Sequence, residues 1–211
     1  MKIAIIDSGI FEGHHHVGRV AGAVQITATG LGADPIDRLG HGTAVAAAIQ
    51  EKAPDAELYA VKVFGGRLAA NMDVILRALA WCRDHDMDLI NLSLGTANED
   101  HKVLFLEALE GTGTVVSAAH MLPGTLPGVI GVAVDETCPR DRFRFRDGIF
   151  HASPYPRPIE GVPLAHNLQG VSFAVANMTG LIAAMGPLVS RAHLTNALLE
   201  RAEPTLQEVC R

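Results

Sequence analysis

Short apolar runs alternate with helical segments along the first 134 residues, and this alternation constrains the fold more than any other feature. Such runs, bounded by turn residues, are typical of strands buried in a parallel sheet. The predicted strands are residues 2–7, 56–64, 88–94, 113–119 and 128–134. Parallel strands need crossover connections, so helices are expected to cover both faces. The sequence therefore predicts an α/β fold with three layers, α/β/α, around a mostly parallel central sheet.

The helical segments complete this prediction. Helices are expected at residues 42–53, 71–85, 99–112 and 170–185, and the last is apolar nearly all round, which indicates a buried helix. Residues 135–167 alternate Arg with Phe and then become rich in Pro and His, which predicts short antiparallel strands and loops. No repeat or linker interrupts the pattern, so residues 1–211 are predicted to form a single domain.

Composition limits the classes of partner. The net charge of -6 offers no basic patch for nucleic acid, and no apolar run approaches the length of a membrane span. The apolar run at the N-terminus ends at Asp7 and is too short for a secretory signal. Three widely spaced cysteines (Cys82, Cys138 and Cys210) favour reduced thiols over a disulfide framework or a zinc site. We therefore expect a cytoplasmic protein that binds neither nucleic acid nor membrane.

Three polar residues occupy positions where a parallel sheet places its functional groups. Asp7 ends the first predicted strand, and His41 and Ser172 each begin a predicted helix. Ser172 alone is more typical of a helix N-cap than of a nucleophile. An acid, a base and a hydroxyl at the open end of one sheet are, however, the components of a serine triad. Their chain order, Asp then His then Ser, is one of the orders in which such triads occur.

Five segments extend this pattern in the same order. They are IAIIDSGI (3–10), DRLGHGTAVAAAI (37–49), APDAELYAVKVF (53–64), LINLSLGT (89–96) and GVSFAVANMTGLIA (170–183). In order, they resemble the Asp motif, the His motif, the strand that follows it, the substrate-binding strand and the Ser motif of the subtilisin-like serine proteases. The resemblance implies a subtilisin-like fold in which Asp7 orients, His41 acts as general base and Ser172 is the nucleophile.

The same resemblance implies how substrate binds. Ser93, Leu94 and Gly95 match the strand whose backbone pairs with an extended peptide. A peptide or protein substrate is therefore expected, with no cofactor and no metal. The three histidines of GHHHVG (13–18) invite a metal interpretation, but adjacent side chains of an extended segment point to opposite sides, so we expect a loop.

The chain departs from the family pattern at the position expected to stabilise the oxyanion. The family has Ala-Ala-Gly-Asn where this chain has SAAH (117–120), so His120 falls at the position of the Asn donor. Loss of one such donor costs about 3–4 kcal/mol of transition-state stabilisation. A histidine ring can also donate, and Asn91 and Asn98 are alternative donors. The Ser motif departs as well, with Val171 for Thr and Ala176 for Pro.

Three functions remain open from the sequence. The first is a serine endopeptidase that works through an acyl-enzyme. The second is an impaired pseudo-peptidase that binds a peptide or partner, and the third is a maturation protease dedicated to one precursor. Two further features have alternative interpretations. His151 and His166 are expected either on the surface or in a specificity pocket. Arg142, Arg144 and Arg146 are expected either on the outer face of an amphipathic strand or in contact with an acidic substrate.

Overall fold

The computed structural model describes residues 1–187 and 191–203. Its strands are β1 (Lys2–Asp7), β2 (Val20–Thr27), β3 (Gly30–Gly32), β4 (Glu57–Lys62), β5 (Leu89–Leu92), β6 (Thr114–Ala118), β7 (Val129–Val134), β8 (Phe143–Arg146) and β9 (Ile149–Ala152). Its helices are α1 (His41–Gln50), α2 (Met72–Asp84), α3 (Lys102–Leu109), α4 (Val171–Ala183) and α5 (Arg191–Arg201). Short 3-10 turns cover Glu99–His101 and Leu164–His166.

The strands form one sheet in the order β3-β2-β4-β1-β5-β6-β7-β9-β8. All neighbours are parallel except the two edge pairs, in which β3 runs antiparallel to β2 and β8 antiparallel to β9. The prediction of a mostly parallel sheet is confirmed. Strand β1 lies at its centre between β4 and β5, so Asp7 ends a strand that is buried on both faces.

Helices cover both faces of the sheet. Ile3 and Ile5 of β1 belong to the apolar core under α1, α4 and α5, whereas Ala4 and Ile6 belong to the core under α2 and α3. This division follows from the alternation of side chains along a strand. The predicted three-layer α/β/α arrangement is therefore confirmed. That residues 1–211 form a single domain stays a prediction.

Several elements differ from the sequence expectation. Strands β2 and β3 and helix α5 were not predicted. Most residues of β2 are only partly buried, and its sequence, VAGAVQIT, lacks a continuous apolar run. The helix expected at 99–112 begins as a 3-10 turn and ends at Leu109. The antiparallel hairpin expected within 135–167 is present as β8 and β9, and β9 also joins the main sheet parallel to β7.

Cys82 and Cys138 are buried free thiols, and Cys210 lies outside the described residues. None of the helices in the ranges 1–187 and 191–203 has both the length and the apolar character needed to cross a membrane.

Candidate active site

Asp7 is a fully buried carboxylate at the end of β1. Its Oδ1 accepts hydrogen bonds from the backbone N–H of Ser8 at 2.7 Å and from the Ser8 hydroxyl at 3.2 Å. The same oxygen lies 2.7 Å from His41 Nδ1. The other oxygen, Oδ2, has no hydrogen-bond partner within the part of the chain that the structure describes. These contacts fix the carboxylate against one nitrogen of the imidazole.

His41 is the first residue of α1, and close packing against β1 positions it. A Cβ on Gly42 would lie 2.2 Å from the carbonyl oxygen of Gly9 and 3.2 Å from Asp7 Cβ, so only glycine fits there. The N–H of Gly42 also donates to the Ser8 hydroxyl at 2.9 Å. The start of α1 is therefore held directly against the turn that follows Asp7.

Asp37 caps the start of α1, a role that the sequence analysis missed. This buried residue accepts hydrogen bonds at Oδ2 from the N–H of Thr43 at 2.9 Å and from the Thr43 hydroxyl at 2.6 Å. Its Oδ1 accepts from the N–H groups of Leu39 and Gly40, both at 2.9 Å. Burial acts to raise the pKa of Asp37, but these hydrogen bonds outweigh it and lower the pKa. An aspartate just before a predicted helix was the available signal.

The environment of His41 favours its protonated form. Burial is the largest effect and acts to lower the pKa, because it disfavours the charged imidazolium. The hydrogen bond to Asp7 and the negative charges of Asp7 and Asp37 outweigh burial and raise the pKa of His41 above its ordinary value. A base with a raised pKa holds a transferred proton more firmly, as general-base chemistry requires.

Ser172 is the second residue of α4. The next residue, Phe173, packs its ring against the His41 ring with centroids 5.4 Å apart. Ser172 Oγ donates a hydrogen bond to the backbone carbonyl of Ser93 at 3.3 Å rather than to His41. The N–H of Ser172 lies in the first turn of α4, where amides have no partner within the helix. The structure thus gathers Asp7, His41 and Ser172 at one edge of the sheet.

Residues 93–95, the extended arm, follow β5 and pass beside Ser172. The Ser93 hydroxyl donates to the carbonyl of Ser172 at 3.2 Å. Thr96 and Leu122 then exchange backbone hydrogen bonds at 3.0 and 2.9 Å, which anchors the far end of the arm. A Cβ on Gly95 would lie 2.8 Å from the Leu122 carbonyl oxygen and 2.9 Å from Met121 Cβ, so the crossing requires glycine.

The structure gives the expected oxyanion donors other neighbours. His120 is exposed beyond β6. Asn91 is fully buried and donates to the Ser93 hydroxyl, while Asn98 caps a 3-10 turn. No hydrogen bond joins any of the three to Ser172 among the described residues. The oxyanion role of His120 stays a prediction.

The arginines near the hairpin find acidic partners within the chain. Arg142 pairs with Glu203, and Arg144 and Arg146 pair with Asp135 at 2.9 and 3.4 Å. This internal pairing favours the interpretation of an amphipathic strand over contact with an acidic substrate. Phe143 is buried on the same strand, as that interpretation expects.

The remaining histidines do not form a metal centre. The rings of His14 and His15 stack with centroids 4.6 Å apart, and His16 meets them edge-on. Throughout residues 1–187 and 191–203, no three His, Cys, Asp or Glu side chains are grouped so that they could hold a metal ion. His166 is exposed in a 3-10 turn, and His151 Nδ1 accepts a hydrogen bond from the Arg146 guanidinium at 3.1 Å.

Comparison with known proteins places these residues in context. Minor extracellular protease Epr of Bacillus subtilis (strain 168) is 35% identical over 113 residues, which cover 49% of this chain and 17% of that protein. Subtilisin E of the same organism is 34% identical over 131 residues, which cover 56% of this chain and 33% of that protein. The chain thus matches a third or less of the length of these curated relatives.

A solved structure and a family model extend the likeness. The structure of sphericase superposes with a TM-score of 0.74 at 24% sequence identity, covering 95% of this chain and 82% of that one, which confirms the predicted subtilisin-like fold. The model of the subtilase family matches residues 1–122, a segment that contains Asp7, His41 and the extended arm. Because this match covers more than half of the 211 residues, the chain belongs to the subtilase family.

Proposed function

We propose that the chain is a serine endopeptidase that hydrolyses peptide bonds through an acyl-enzyme. The observation that carries the proposal is the 2.7 Å contact between buried Asp7 Oδ1 and His41 Nδ1, beside a serine at the start of α4. This contact makes Nδ1 the protonated nitrogen and leaves Nε2 as the base. Family membership supports the same chemistry.

The reaction begins when the Ser172 hydroxyl leaves the Ser93 carbonyl and donates its hydrogen bond to His41 Nε2 instead. His41 takes the hydroxyl proton as Oγ attacks the substrate carbonyl, and Asp7 stabilises the imidazolium. His41 then donates that proton to the leaving amine, and water releases the acyl group by the reverse sequence. The N–H of Ser172 is one donor to the oxyanion, and His120 is our candidate for the second.

The substrate is an extended peptide that lies along the extended arm. Ser93, Leu94 and Gly95 continue β5 beyond its last paired residue, so backbone groups of a peptide can add to them as a further strand. The backbone hydrogen bonds between Thr96 and Leu122 hold the far end of the arm in place without a bound peptide. Rigid positioning of this kind lowers the entropy cost of binding.

Labelling by a fluorophosphonate probe tests the proposal. The probe should modify wild-type protein at Ser172, and Ser172→Ala should remove the signal. Ser153→Ala changes a serine that follows β9, outside the triad and the extended arm, and serves as the matched control. Absence of labelling in folded wild-type protein would contradict the proposal. A labelled protein that cleaves one precursor but not unfolded general substrates would favour a dedicated maturation protease.

A pseudo-peptidase is the second candidate, and one observation favours it. Ser172 Oγ donates its hydrogen bond to the Ser93 carbonyl and not to His41. A binding module without turnover would bind peptides equally well before and after Ser172→Ala, and no acyl-enzyme would accumulate. Measuring affinity and labelling on the same two proteins separates the candidates.

A cytoplasmic location is also a proposal. It rests on two buried free thiols, Cys82 and Cys138, which a reducing compartment preserves. The relative Epr is by name an extracellular protease, so location does not follow from the family. Fractionation of producing cells, with a cytoplasmic and a secreted marker protein, tests it directly.

A further inference from the structure

A pocket of about 300 Å³ lies beside the first turns of α1. Three segments build it: the loop after β1, the start of α1 with the residues before it, and the loop before α4. We call it the leaving-side pocket. Ala44 and Ala47 of α1 and Pro156 form part of its wall.

Large apolar side chains from these segments converge on the pocket and remain exposed. Phe11 is 51% exposed, Leu168 48% and Ile159 39%, although all three line one concave space. Scattered exposed apolar residues are ordinary, but a concave group of them is typical of a binding site. The pocket is large enough to bury one large apolar side chain.

The position of the pocket relates it to the proposed reaction. Gly40 lines it and directly precedes His41, and Leu168 lies four residues before Ser172. Residues 93–95 do not line it, so the pocket is separate from the extended arm. In acyl transfer the imidazole protonates the departing amine, so the departing segment lies on the side of His41.

One cation in the pocket lacks an acidic partner. The guanidinium of Arg157 donates to the carbonyl of His16 at 3.2 Å, and no carboxylate of residues 1–187 or 191–203 lies within 4.0 Å of it. Asp37 also lines the pocket, but both of its oxygens already accept two hydrogen bonds. Arg38 is paired with Asp34 at 3.0 Å. Arg157 is therefore available to a carboxylate on a ligand, a pairing that guanidinium groups favour.

We propose that the leaving-side pocket selects substrates whose departing segment carries a large apolar side chain next to a carboxylate, with the carboxylate bound by Arg157. This proposal rests on the proposed peptidase function, because the function defines which segment departs. The apolar side chain fills the space between Phe11, Ile159 and Leu168. An acidic side chain and a terminal carboxylate share the chemistry that Arg157 recognises.

Binding of short peptides tests the pocket without requiring turnover. The probes are Ala-Leu-Glu-amide, Ala-Leu-Gln-amide, Ala-Ala-Glu-amide and Ala-Leu with a free carboxylate, titrated calorimetrically into Ser172→Ala protein. We expect Ala-Leu-Glu-amide to bind about tenfold more tightly than the Gln or Ala probe. Tight binding of Ala-Leu assigns the carboxylate to a chain terminus, and tight binding of the Glu probe assigns it to a side chain.

Variants then attribute each preference to a wall of the pocket. Arg157→Gln should remove the preference for Glu over Gln, and Leu168→Ala should reduce the preference for Leu over Ala. Arg67→Gln and Leu31→Ala remove an exposed residue of the same type outside the pocket and should change neither preference. Equal affinities for all probes, or preferences that survive both pocket variants, would overturn the proposal.

Fluorophosphonate labelling of wild-type protein separates this result from the proposed function. Labelling together with equal peptide affinities overturns the pocket and retains the peptidase. The reverse result, selective binding without labelling, overturns the peptidase function and retains the pocket as a peptide-binding site.

Discussion

Ser93 and Ser172 exchange hydrogen bonds between their hydroxyls and each other's backbone carbonyl. Ser172 Oγ donates to Ser93 O at 3.3 Å, and Ser93 Oγ donates to Ser172 O at 3.2 Å. The Ser93 hydroxyl also accepts from Asn91 Nδ2 at 2.7 Å, and Asn91 Oδ1 accepts from Thr179 of α4 at 3.0 Å. This chain of bonds fastens the start of α4 to the extended arm.

Ser93→Ala should therefore reduce stability more than its small size suggests. The substitution leaves the buried amide of Asn91 without an acceptor, which costs about 1–3 kcal/mol. Urea unfolding measures the change. Ser117→Ala is the matched control. The Ser117 hydroxyl donates to the Leu94 carbonyl at 3.3 Å, and its removal leaves the hydrogen bonds of the Asn91 side chain intact. Equal losses for the two variants would contradict the role of Ser93 in this chain.

Asp7→Asn should lower both the labelling rate and its pH midpoint. A general base must be neutral, so the rate rises as pH passes through the raised pKa of His41. Removing the charge of Asp7 lowers that pKa and moves the rise to lower pH. The maximal rate should fall about 10⁴-fold, as in related triads. A profile of labelling rate against pH measures both effects, and an unchanged midpoint would contradict the assignment.

Asp37→Asn should destabilise the protein without removing the triad. The amide that replaces one oxygen faces backbone N–H groups, so charge-assisted hydrogen bonds worth about 1.5–3 kcal/mol are lost. Because the folded pKa of Asp37 is lowered, its stabilisation is present above its unfolded pKa and lost as pH falls. The difference in unfolding free energy should thus shrink on acidification. Asp73→Asn, in the first turn of α2, provides the control at an exposed helix start.

Gly95→Ala should impair substrate binding along the extended arm. The new Cβ would lie 2.8 Å from the Leu122 carbonyl oxygen, so the arm or residues 121–122 must move. A displacement of this size in a positioning segment lowers kcat/KM by about a hundredfold. Peptide hydrolysis kinetics measure the loss. Gly66→Ala is the control, because nothing lies within 4 Å of a Cβ at that position, and an equal loss there would contradict the prediction.

Asp135 should make the free energy of unfolding depend on pH in the acidic range. Burial acts to raise its pKa, but hydrogen bonds from Thr137 and Arg144 and the charge of Arg144 outweigh it and lower the pKa from 3.8 to about 2. A lowered folded pKa gives stability that is present above pH 3.8 and lost as pH falls toward about 2. Asp135→Asn should abolish this part of the pH dependence in unfolding experiments. Asp55→Asn, exposed and in no ion pair among the described residues, should preserve it.

The central strands and the positions of the three candidate residues were predictable from the sequence. Continuous apolar runs mark strands buried on both faces, and polar residues that follow them lie at the open end of a parallel sheet. Asp7 was predicted in this way, whereas His41 and Ser172 were predicted at the starts of helices. Strand β2 was not, because it lies near the sheet edge and its residues are partly exposed, so its pattern lacks the apolar run.

The sequence by itself determined the layers, the succession of central strands and helices along the chain, and the identities of an acid, a base and a hydroxyl. Only the tertiary structure decided which oxygen of Asp7 meets His41, that Asp37 caps α1, and that Ser172 donates to Ser93. The leaving-side pocket likewise combines residues from three segments. The physical reason is that apolar periodicity reports burial of a single element, whereas hydrogen-bond partners depend on distances of a few ångströms between elements far apart in the chain.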